Sequence, residues 1–251
     1  MVSNKTCTNR YLVSRTYRAT DNCGKTATCV QLITVNDQTG PALTCPADVT
    51  VSCATQVPAI NLAGVTATDA CGGATTKAHQ GDAISDQICD NRYLLSRTYR
   101  GTDVCGNTSS CVQKITVNDQ TAPTVSCPAG ITVSCPSQIP AAQPSVIVAS
   151  DNCSGTVTKH FENDAVSNQI CDNRYTLTRT YSAKDACGNS ATCTQRITVY
   201  DQTAPGITCP PGTEVSCTTQ IPGADPDAVT GSDNCGGIIV KSHVADETGF
   251  Q

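Results

Sequence analysis

The spacing of the cysteines constrains this chain more than any other feature. Eighteen cysteines fall into three sets of six, each set lying 82 residues after the previous one: Cys7, Cys23, Cys29, Cys45, Cys53, Cys71; Cys89, Cys105, Cys111, Cys127, Cys135, Cys153; Cys171, Cys187, Cys193, Cys209, Cys217, Cys235. The flanking residues keep the same period, as in "NRYLVSRTYRATD", "NRYLLSRTYRGTD" and "NRYTLTRTYSAKD". The chain is therefore built from copies of one 82-residue unit, and one fold must serve for all of them.

The composition indicates that disulfides stabilise each unit. Two phenylalanines, seven tyrosines and no tryptophan in 251 residues leave little bulky apolar material, and a unit of this size buries only a modest share of its surface. Cysteine-rich domains of this kind persist in oxidising surroundings, so we expect an extracellular, cell-surface protein. A net charge of -5 argues against a nucleic-acid partner, and no apolar run is long enough for membrane insertion.

The first residues do not have the pattern of a secretory leader. "MVSNKTCTNR" contains no apolar core, and Met1 has the same position in the period as Ala83 and Ala165. We therefore expect the chain to be a window from a longer array.

The segments between the cysteines have the pattern of short strands. "YLLSRTYRGTD" (93–103), "CVQKITV" (111–117) and "ITVSC" (131–135) are rich in Val, Ile, Thr and Tyr and alternate with a period of two. The "D-x-C-G-N" stretch predicts a hairpin turn between the last two strands of a unit. Regularly spaced strands of this kind predict an all-β fold of tandem immunoglobulin-like β-sandwich repeats.

Proline-containing joints set the predicted domain boundaries. "NDQTGP" (36–41), "NDQTAP" (118–123) and "YDQTAP" (200–205) recur with the period, and proline cannot continue a sheet ladder. We predict four parts: the C-terminal half of a repeat at 1–39, complete repeats at 41–121 and 123–203, and the N-terminal half of a repeat at 205–251.

Several of these motifs together resemble a known family. "CPADVTVSC", "ATDACGG", "RTYRGTDVCGN" and "ITVNDQTAP" are similar to the hyalin repeat (HYR), especially the multi-cysteine HYR-like repeats of Bacteroidota surface proteins. The resemblance implies an immunoglobulin-like tandem module of extracellular adhesion or structural proteins, without enzyme activity. Simpler HYR units have fewer cysteines than the six found here.

An immunoglobulin-like strand order favours one disulfide scheme among the 15 that six cysteines allow. It groups cysteines that fall at the same end of a sandwich. The favoured pairs are Cys45–Cys111, Cys53–Cys89 and Cys71–Cys105 in one repeat and Cys127–Cys193, Cys135–Cys171 and Cys153–Cys187 in the next. A local link between Cys105 and Cys111 is the second choice.

Acidic residues near the joints are candidate ligands for Ca²⁺, which prefers carboxylate oxygens. The residues are Asp37, Asp69, Asp103, Asp119, Asp151 and Asp185. The alternative is that each aspartate caps its own turn. Zinc and thioredoxin-type sites need cysteine pairs closer than the C-x5-C found here; we predict no cofactor besides this possible Ca²⁺, and no catalytic site.

The sequence therefore predicts a non-enzymatic structural or adhesive module, a segment of a long rod or filament whose partners are neighbouring repeats. The alternative is an adhesin whose inter-strand loops grip a carbohydrate or protein. The two terminal halves contain the six cysteine positions of one repeat, so head-to-tail self-assembly is a further hypothesis, with Cys7–Cys217, Cys23–Cys235 and Cys29–Cys209 bonds between chains. An array cut at an arbitrary point explains the same halves.

Overall fold

The computed structural model describes residues 2–249, which are strands, turns and short 3-10 helices. The first strands are β1 (Val2–Cys7), β2 (Arg10–Thr20), β3 (Thr26–Asn36), β4 (Ala42–Thr44), β5 (Val49–Val51), β6 (Thr66–Thr68), β7 (Thr76–Cys89), β8 (Arg92–Thr102) and β9 (Thr108–Asn118). The others are β10 (Thr124–Ser126), β11 (Ile131–Val133), β12 (Val148–Ser150), β13 (Thr158–Cys171), β14 (Arg174–Lys184), β15 (Ser190–Tyr200), β16 (Gly206–Thr208) and β17 (Thr230–Ser232). The 3-10 helices are Ala54–Gln56, Pro136–Gln138, Pro144–Val146, Thr218–Gln220 and Pro226–Ala228. The predicted all-β class is confirmed.

The chain divides into two compact units. The first contains the residues up to Ala122 with the loops Asp151–Thr156 and Asp185–Asn189, and the second contains Pro123–Ser150, Val157–Lys184 and the residues from Ser190 onward. The boundaries of the individual repeats, 1–39, 41–121, 123–203 and 205–251, stay a prediction, because two loops of the third predicted part belong to the first unit.

Within the first unit, the predicted repeat 41–121 has two sheets. One is four-stranded in the order β5-β9-β8-β7, and the other pairs β4 with β6. The β5 strand runs parallel to β9, whereas β9, β8 and β7 are antiparallel neighbours. The strands before this repeat form a separate antiparallel sheet, β1-β2-β3.

The second unit repeats this arrangement with its own strands. The order β11-β15-β14-β13 forms its four-stranded sheet, and β10 pairs with β12. The antiparallel pair of β16 and β17 forms a further sheet.

The core of each complete repeat lies on one face of the four-stranded sheet. Gln113, Ile115 and Val117 of β9 are buried as the alternation predicts, with Tyr99 of β8. The corresponding residues of the second unit are buried as well: Gln195, Ile197, Val199 and Tyr181. Few side chains therefore form the core, which leaves covalent links a large part in holding a repeat together.

Candidate functional site

The candidate site is the joint at which disulfides link consecutive repeats. The structure contains the bonds Cys7–Cys105, Cys45–Cys111, Cys53–Cys153, Cys89–Cys187, Cys127–Cys193 and Cys135–Cys235. Two bonds join residues 66 apart and lie inside a repeat. The other four join residues 98 or 100 apart, which is longer than the 82-residue period, so they connect neighbouring repeats.

The predicted disulfide scheme is wrong for the bonds that cross a joint. Cys45–Cys111 and Cys127–Cys193 are present as the scheme has them. The structure does not form the expected bonds Cys53–Cys89, Cys71–Cys105, Cys135–Cys171 and Cys153–Cys187, nor the local bond Cys105–Cys111. The scheme placed these cysteines at the ends of a repeat, and at an end the available partner is in the adjacent repeat. Because every cysteine recurs with the period, spacing alone does not distinguish the two partners.

Two of the three predicted inter-chain bonds are wrong for the same reason. Cys7 and Cys235 are already bonded within the chain, to Cys105 and Cys135, so Cys7–Cys217 and Cys23–Cys235 are wrong. Six cysteines are unpaired and exposed among the described residues: Cys23, Cys29, Cys71, Cys171, Cys209 and Cys217.

The hairpin turn at the end of β8 presents one of the joint cysteines. Asp103 Oδ1 accepts hydrogen bonds from the backbone N–H groups of Cys105 and Asn107, both at 2.8 Å. Gly106 has φ +84°, a left-handed conformation that glycine adopts without strain. Desolvation acts to raise the pKa of Asp103, but hydrogen bonds from Asn107, Cys105 and Gly106 outweigh it and lower that pKa. The turn thus holds Cys105 in place for Cys7.

A second contact at each joint joins an arginine, an asparagine and a backbone carbonyl. At the first joint, Arg10 Nη2 donates to the Asp37 carbonyl at 2.6 Å and to Asn107 Oδ1 at 3.2 Å, and Asn107 Nδ2 donates to the same carbonyl at 3.2 Å.

One period later Arg92 repeats the contact. It donates to the Asp119 carbonyl and to Asn189 Oδ1, and Asn189 also donates to the Asp119 carbonyl. These contacts were not predicted from the sequence, although the recurrence of their residues in "NRY" and "CGN" was a usable signal.

The structure brings together only part of the predicted calcium ligands. In each of three groups, two aspartate carboxylate oxygens and one cysteine sulfur lie within 4.8 Å of one another. The groups are Asp37, Asp69 and Cys71; Asp119, Asp151 and Cys153; and Asp201, Asp233 and Cys235. Asp103 and Asp185 are outside these groups; Asp185 Oδ1, like Asp103 Oδ1, accepts the N–H groups of its own turn.

The carboxylates of these pairs also bind their own backbone. Asp69 accepts the N–H of Cys71 and Asp151 that of Cys153. Asp37 is 7 % exposed, and its Oδ2 has no hydrogen-bond partner among the described residues. Cys153 and Cys235 are in disulfides, and a disulfide sulfur is not the thiolate that binds metals. The groups with Cys153 and Cys235 therefore offer only their two carboxylates as metal ligands, and calcium binding stays a prediction.

The unpaired thiol of Cys71 lies in a negatively charged environment. Desolvation raises the pKa of this thiol, and the negative charge of Asp37 adds to the shift. At neutral pH the thiolate fraction of Cys71 is therefore small, and so is its reactivity.

The arginines that lie on the core face of β8 and β14 pair with carboxylates. Arg97, 5 % exposed, donates from Nε and Nη2 to Asp82 at 3.0 and 2.9 Å, and from Nη1 to the Pro58 carbonyl at 2.7 Å. Arg179 does the same with Asp164 and Pro140. The Arg97 hydrogen bond lowers the pKa of Asp82, against an opposing effect of desolvation.

Comparison with known proteins identifies the class of module. Residues 123–199 match the family model described as "HYR-like domain with 4 cysteines", which confirms the resemblance found in the sequence. This stretch is similar to that family, and the cysteine pattern of the stretch recurs along the chain. A search of curated proteins gave no match.

The solved structures similar to this chain include cadherin ectodomains. Protocadherin gamma B2 domains 3–6 align with a TM-score of 0.32 and 13% identity over 78% of this chain and 61% of theirs. A protocadherin gammaB7 EC3-6 structure aligns with a TM-score of 0.28 and 17% identity over 88% of this chain and 62% of its own. Drosophila N-cadherin EC1-4 aligns with a TM-score of 0.29 and 12% identity over 77% of this chain and 58% of its own. The chain spans about three fifths of the length of these cadherin chains.

The HYR-like domain and the many cysteines together define an extracellular or secreted adhesion-type repeat module. Domains of this type are typically non-enzymatic. Among residues 2–249, no helix has the length and apolar character needed to cross a membrane.

Proposed function

We propose that this chain is a tension-bearing segment of an extracellular rod or filament, in which disulfides couple each repeat to the next. The observation that supports it is the set of four bonds between repeats, Cys7–Cys105, Cys53–Cys153, Cys89–Cys187 and Cys135–Cys235. A module that only presents a binding loop needs disulfides within its own fold. Bonds that cross every joint serve the continuity of an array.

The loops closed by these four bonds overlap along the chain. Residues 7–105, 53–153, 89–187 and 135–235 each form one loop. Consequently every peptide bond between Cys7 and Cys235 lies inside at least one loop. A single backbone cut in this region leaves the two pieces covalently joined.

The overlap also limits how far the chain can be stretched. The shortest covalent path from Cys7 to Cys235 runs through the Cys7–Cys105 bond, the backbone from 105 to 135 and the Cys135–Cys235 bond. That stretch is about 30 residues and extends to at most ~110 Å, whereas the whole reduced segment of about 230 residues extends to ~800 Å. Repeats that unfold under force would therefore release little length while the disulfides remain.

Noncovalent contacts at the joints support the same role. The Arg10 and Arg92 guanidinium groups each bind a backbone carbonyl and an asparagine side chain across 27 and 97 residues. Arginine presents several donors in a fixed plane, which suits a contact that fixes the orientation of a joint.

Stretching single molecules tests the proposal. The 251-residue chain is pulled from handles at its two ends, and the contour length between Cys7 and Cys235 is compared with and without a strong reductant. We expect ~110 Å when oxidised and ~800 Å when reduced. An oxidised chain that stretches to several hundred ångströms would contradict the proposal.

A variant pair controls the measurement. Replacing Cys7 and Cys105 by serine removes one bypass, so the shortest covalent path runs through Cys45–Cys111 and the oxidised length roughly doubles, to ~220 Å. Replacing Cys23 and Cys29, which are unpaired, changes the same number of cysteines and should leave the length unchanged.

A further inference from the structure

Two adjacent residues at the turn between β7 and β8 contact the surroundings of all four cysteines of one joint. Asn91 lies in this turn and is 4 % exposed, and Arg92 is the first residue of β8. We propose that Asn91 and Arg92 are positioning residues that select the disulfide partners at this joint. The proposal rests on the proposed function, because it concerns two of the bonds between repeats. These bonds, both within the first compact unit, are Cys53–Cys153 and Cys89–Cys187.

The Asn91 side chain binds one backbone group beside each cysteine of the first bond. Its Oδ1 accepts the N–H of Ala54, the residue after Cys53, at 2.9 Å. Its Nδ2 donates to the carbonyl of Ser154, the residue after Cys153, at 3.0 Å. An amide has both an acceptor and a donor, so this one buried side chain holds together the two segments that the Cys53–Cys153 bond joins.

Arg92 has the same relation to the second bond. It lies opposite Cys89 in the pairing of β7 with β8, and its Nη1 donates to the Cys187 carbonyl at 3.2 Å. Its Nη2 donates to the Asp119 carbonyl and to Asn189 Oδ1. Because the donors of a guanidinium lie in a fixed plane, these contacts hold the turn that contains Cys187 beside Cys89.

The four cysteines of this joint have a second way to pair. The loops closed within each repeat would be ~35 residues long, whereas the observed bonds join residues 100 and 98 apart, so loop closure in the unfolded chain favours each bond within a repeat ~5-fold. Bonds between repeats therefore need contacts that bring the two repeats together, and the contacts of the β7–β8 turn supply them. The bonds of this alternative isomer are Cys53–Cys89 and Cys153–Cys187.

Thiol–disulfide exchange converts one isomer into the other without net oxidation. A glutathione thiolate attacks the sulfur of Cys89, forms a mixed disulfide and releases the Cys187 thiolate. This thiolate attacks Cys153, forms Cys153–Cys187 and releases the Cys53 thiolate. The Cys53 thiolate attacks the mixed disulfide at Cys89, forms Cys53–Cys89 and returns the glutathione thiolate. Two disulfides are present before and after, so the contacts around the cysteines decide which isomer is more populated.

Refolding in a glutathione buffer tests the selection. In every chain the six unpaired cysteines are replaced by serine, so that each remaining thiol has its observed partner. The reduced 251-residue chain is equilibrated with reduced and oxidised glutathione and quenched with acid, and its disulfides are mapped by proteolysis and mass spectrometry. With Asn91 and Arg92 unaltered, we expect Cys53–Cys153 and Cys89–Cys187.

Asn91→Asp separates the contact across the joint from the contact inside the repeat. Aspartate keeps an oxygen that accepts the Ala54 N–H, but it has no N–H for the Ser154 carbonyl. We expect the ratio of bonds within repeats to bonds between repeats to rise about tenfold, and Asn91→Ala to raise it as well. A ratio that responds to alanine and not to aspartate would show that Asn91 supports only its own repeat, and would overturn the proposal.

Arg92→Lys keeps the charge and removes the planar group. A lysine ammonium does not reproduce the spaced donors that reach the Cys187 and Asp119 carbonyls, so we expect the share of bonds within repeats to rise about fivefold. The matched controls are Asn173→Asp and Arg174→Lys, the equivalent residues one period later. They belong to the second compact unit, whereas the joint belongs to the first, and they should leave the ratio unchanged.

The Cys45–Cys111 bond shows whether a variant has folded. It lies inside a repeat and should remain complete in every variant, whereas general misfolding would scramble it too. If Asn91→Asp loses this bond, the ratio in Arg92→Lys decides.

The same disulfide map separates this inference from the proposed function. An unchanged ratio in Asn91→Asp and Arg92→Lys, with Cys45–Cys111 intact, would overturn the inference and leave the proposed function standing. Chains with both residues unaltered that form Cys53–Cys89 and Cys153–Cys187 would contradict the proposed function and the inference with it.

Discussion

The segment 2–39 and the corresponding part of the predicted repeat 41–121 have nearly the same sequence and a very different environment. "NRYLVSRTYRATD" and "NRYLLSRTYRGTD" form strands of equal length, β2 and β8, and both pair with the next strand through the same register. Nevertheless Tyr17 is half exposed and Tyr99 is fully buried, and among residues 2–249 Arg15 has no carboxylate partner, whereas Arg97 has Asp82. The difference teaches that the hairpin is a local product of its sequence, whereas the core and the buried ion pair require the other half of a repeat.

Reduction should have the largest effect and should act mainly on the complete repeats. A disulfide closing a loop of this size contributes about 4 kcal/mol, and a small domain is stable by only about 5–15 kcal/mol. With strong reductant we expect the amides of β8 and β9 to lose their protection from hydrogen exchange. The protection of β2 and β3 should change less, because these strands are already mostly exposed. Unchanged protection of β8 and β9 would show that the small core alone holds the repeat.

Truncating the equivalent tyrosines tests whether burial distinguishes the two regions. Tyr99→Ala should lower the free energy of unfolding by about 3–5 kcal/mol, because it leaves a cavity in the core. Tyr17→Ala should change it by about 0.5 kcal/mol or less, as is usual for exposed positions. Urea denaturation followed by circular dichroism measures both, with Tyr181→Ala as a second buried case. Equal losses at Tyr17 and Tyr99 would mean that the Tyr17 side chain is buried in solution.

The ion pair of Asp82 with the buried Arg97 should add a pH dependence that Asp246 lacks. Because the pKa of Asp82 is lowered in the folded state, its contribution is present above the ordinary pKa of 3.8 and is lost as pH falls through the folded value. Asp82→Asn should cost about 2 kcal/mol at pH 6 and progressively less below pH 4, measured as urea midpoints. Asp246→Asn, at the equivalent position without an arginine, should show no such dependence.

Calcium should have the smallest effect. If Asp119 and Asp151 bind Ca²⁺ with a dissociation constant of about 1 mM, as in weak extracellular sites, then 5 mM Ca²⁺ stabilises the chain by about 1 kcal/mol. Thermal unfolding with Ca²⁺ and with chelator measures this. Asp119→Asn combined with Asp151→Asn should abolish the difference. A difference that survives the double variant would locate the ion elsewhere.

The parts of the structure that depend on local sequence were predictable. The β8–β9 hairpin follows from alternating Val, Ile, Thr and Tyr around a turn in which Asp103 binds the N–H groups of Cys105 and Asn107. The buried face of β9 follows from a two-residue period. Arg97 has the partner that a cation on a buried face needs, the carboxylate of Asp82.

The disulfides show where prediction from the sequence ended. Cys45–Cys111 was predictable because both ends belong to one repeat. Cys53 was assigned Cys89 as its partner, whereas it is bonded to Cys153. The Arg92 contact with the Asp119 carbonyl and Asn189 was missed altogether, because it also joins neighbouring repeats.

The sequence by itself determined the period, the strands, the turns and the resemblance to HYR-like repeats. These features arise from residue types and short spacings, which act locally and are the same in every copy. Only the tertiary structure decided which copy supplies the partner of each cysteine and arginine. The physical reason is that a perfect repeat makes the residue in its own unit and the equivalent residue in the next unit chemically identical, so that only their positions in space distinguish them.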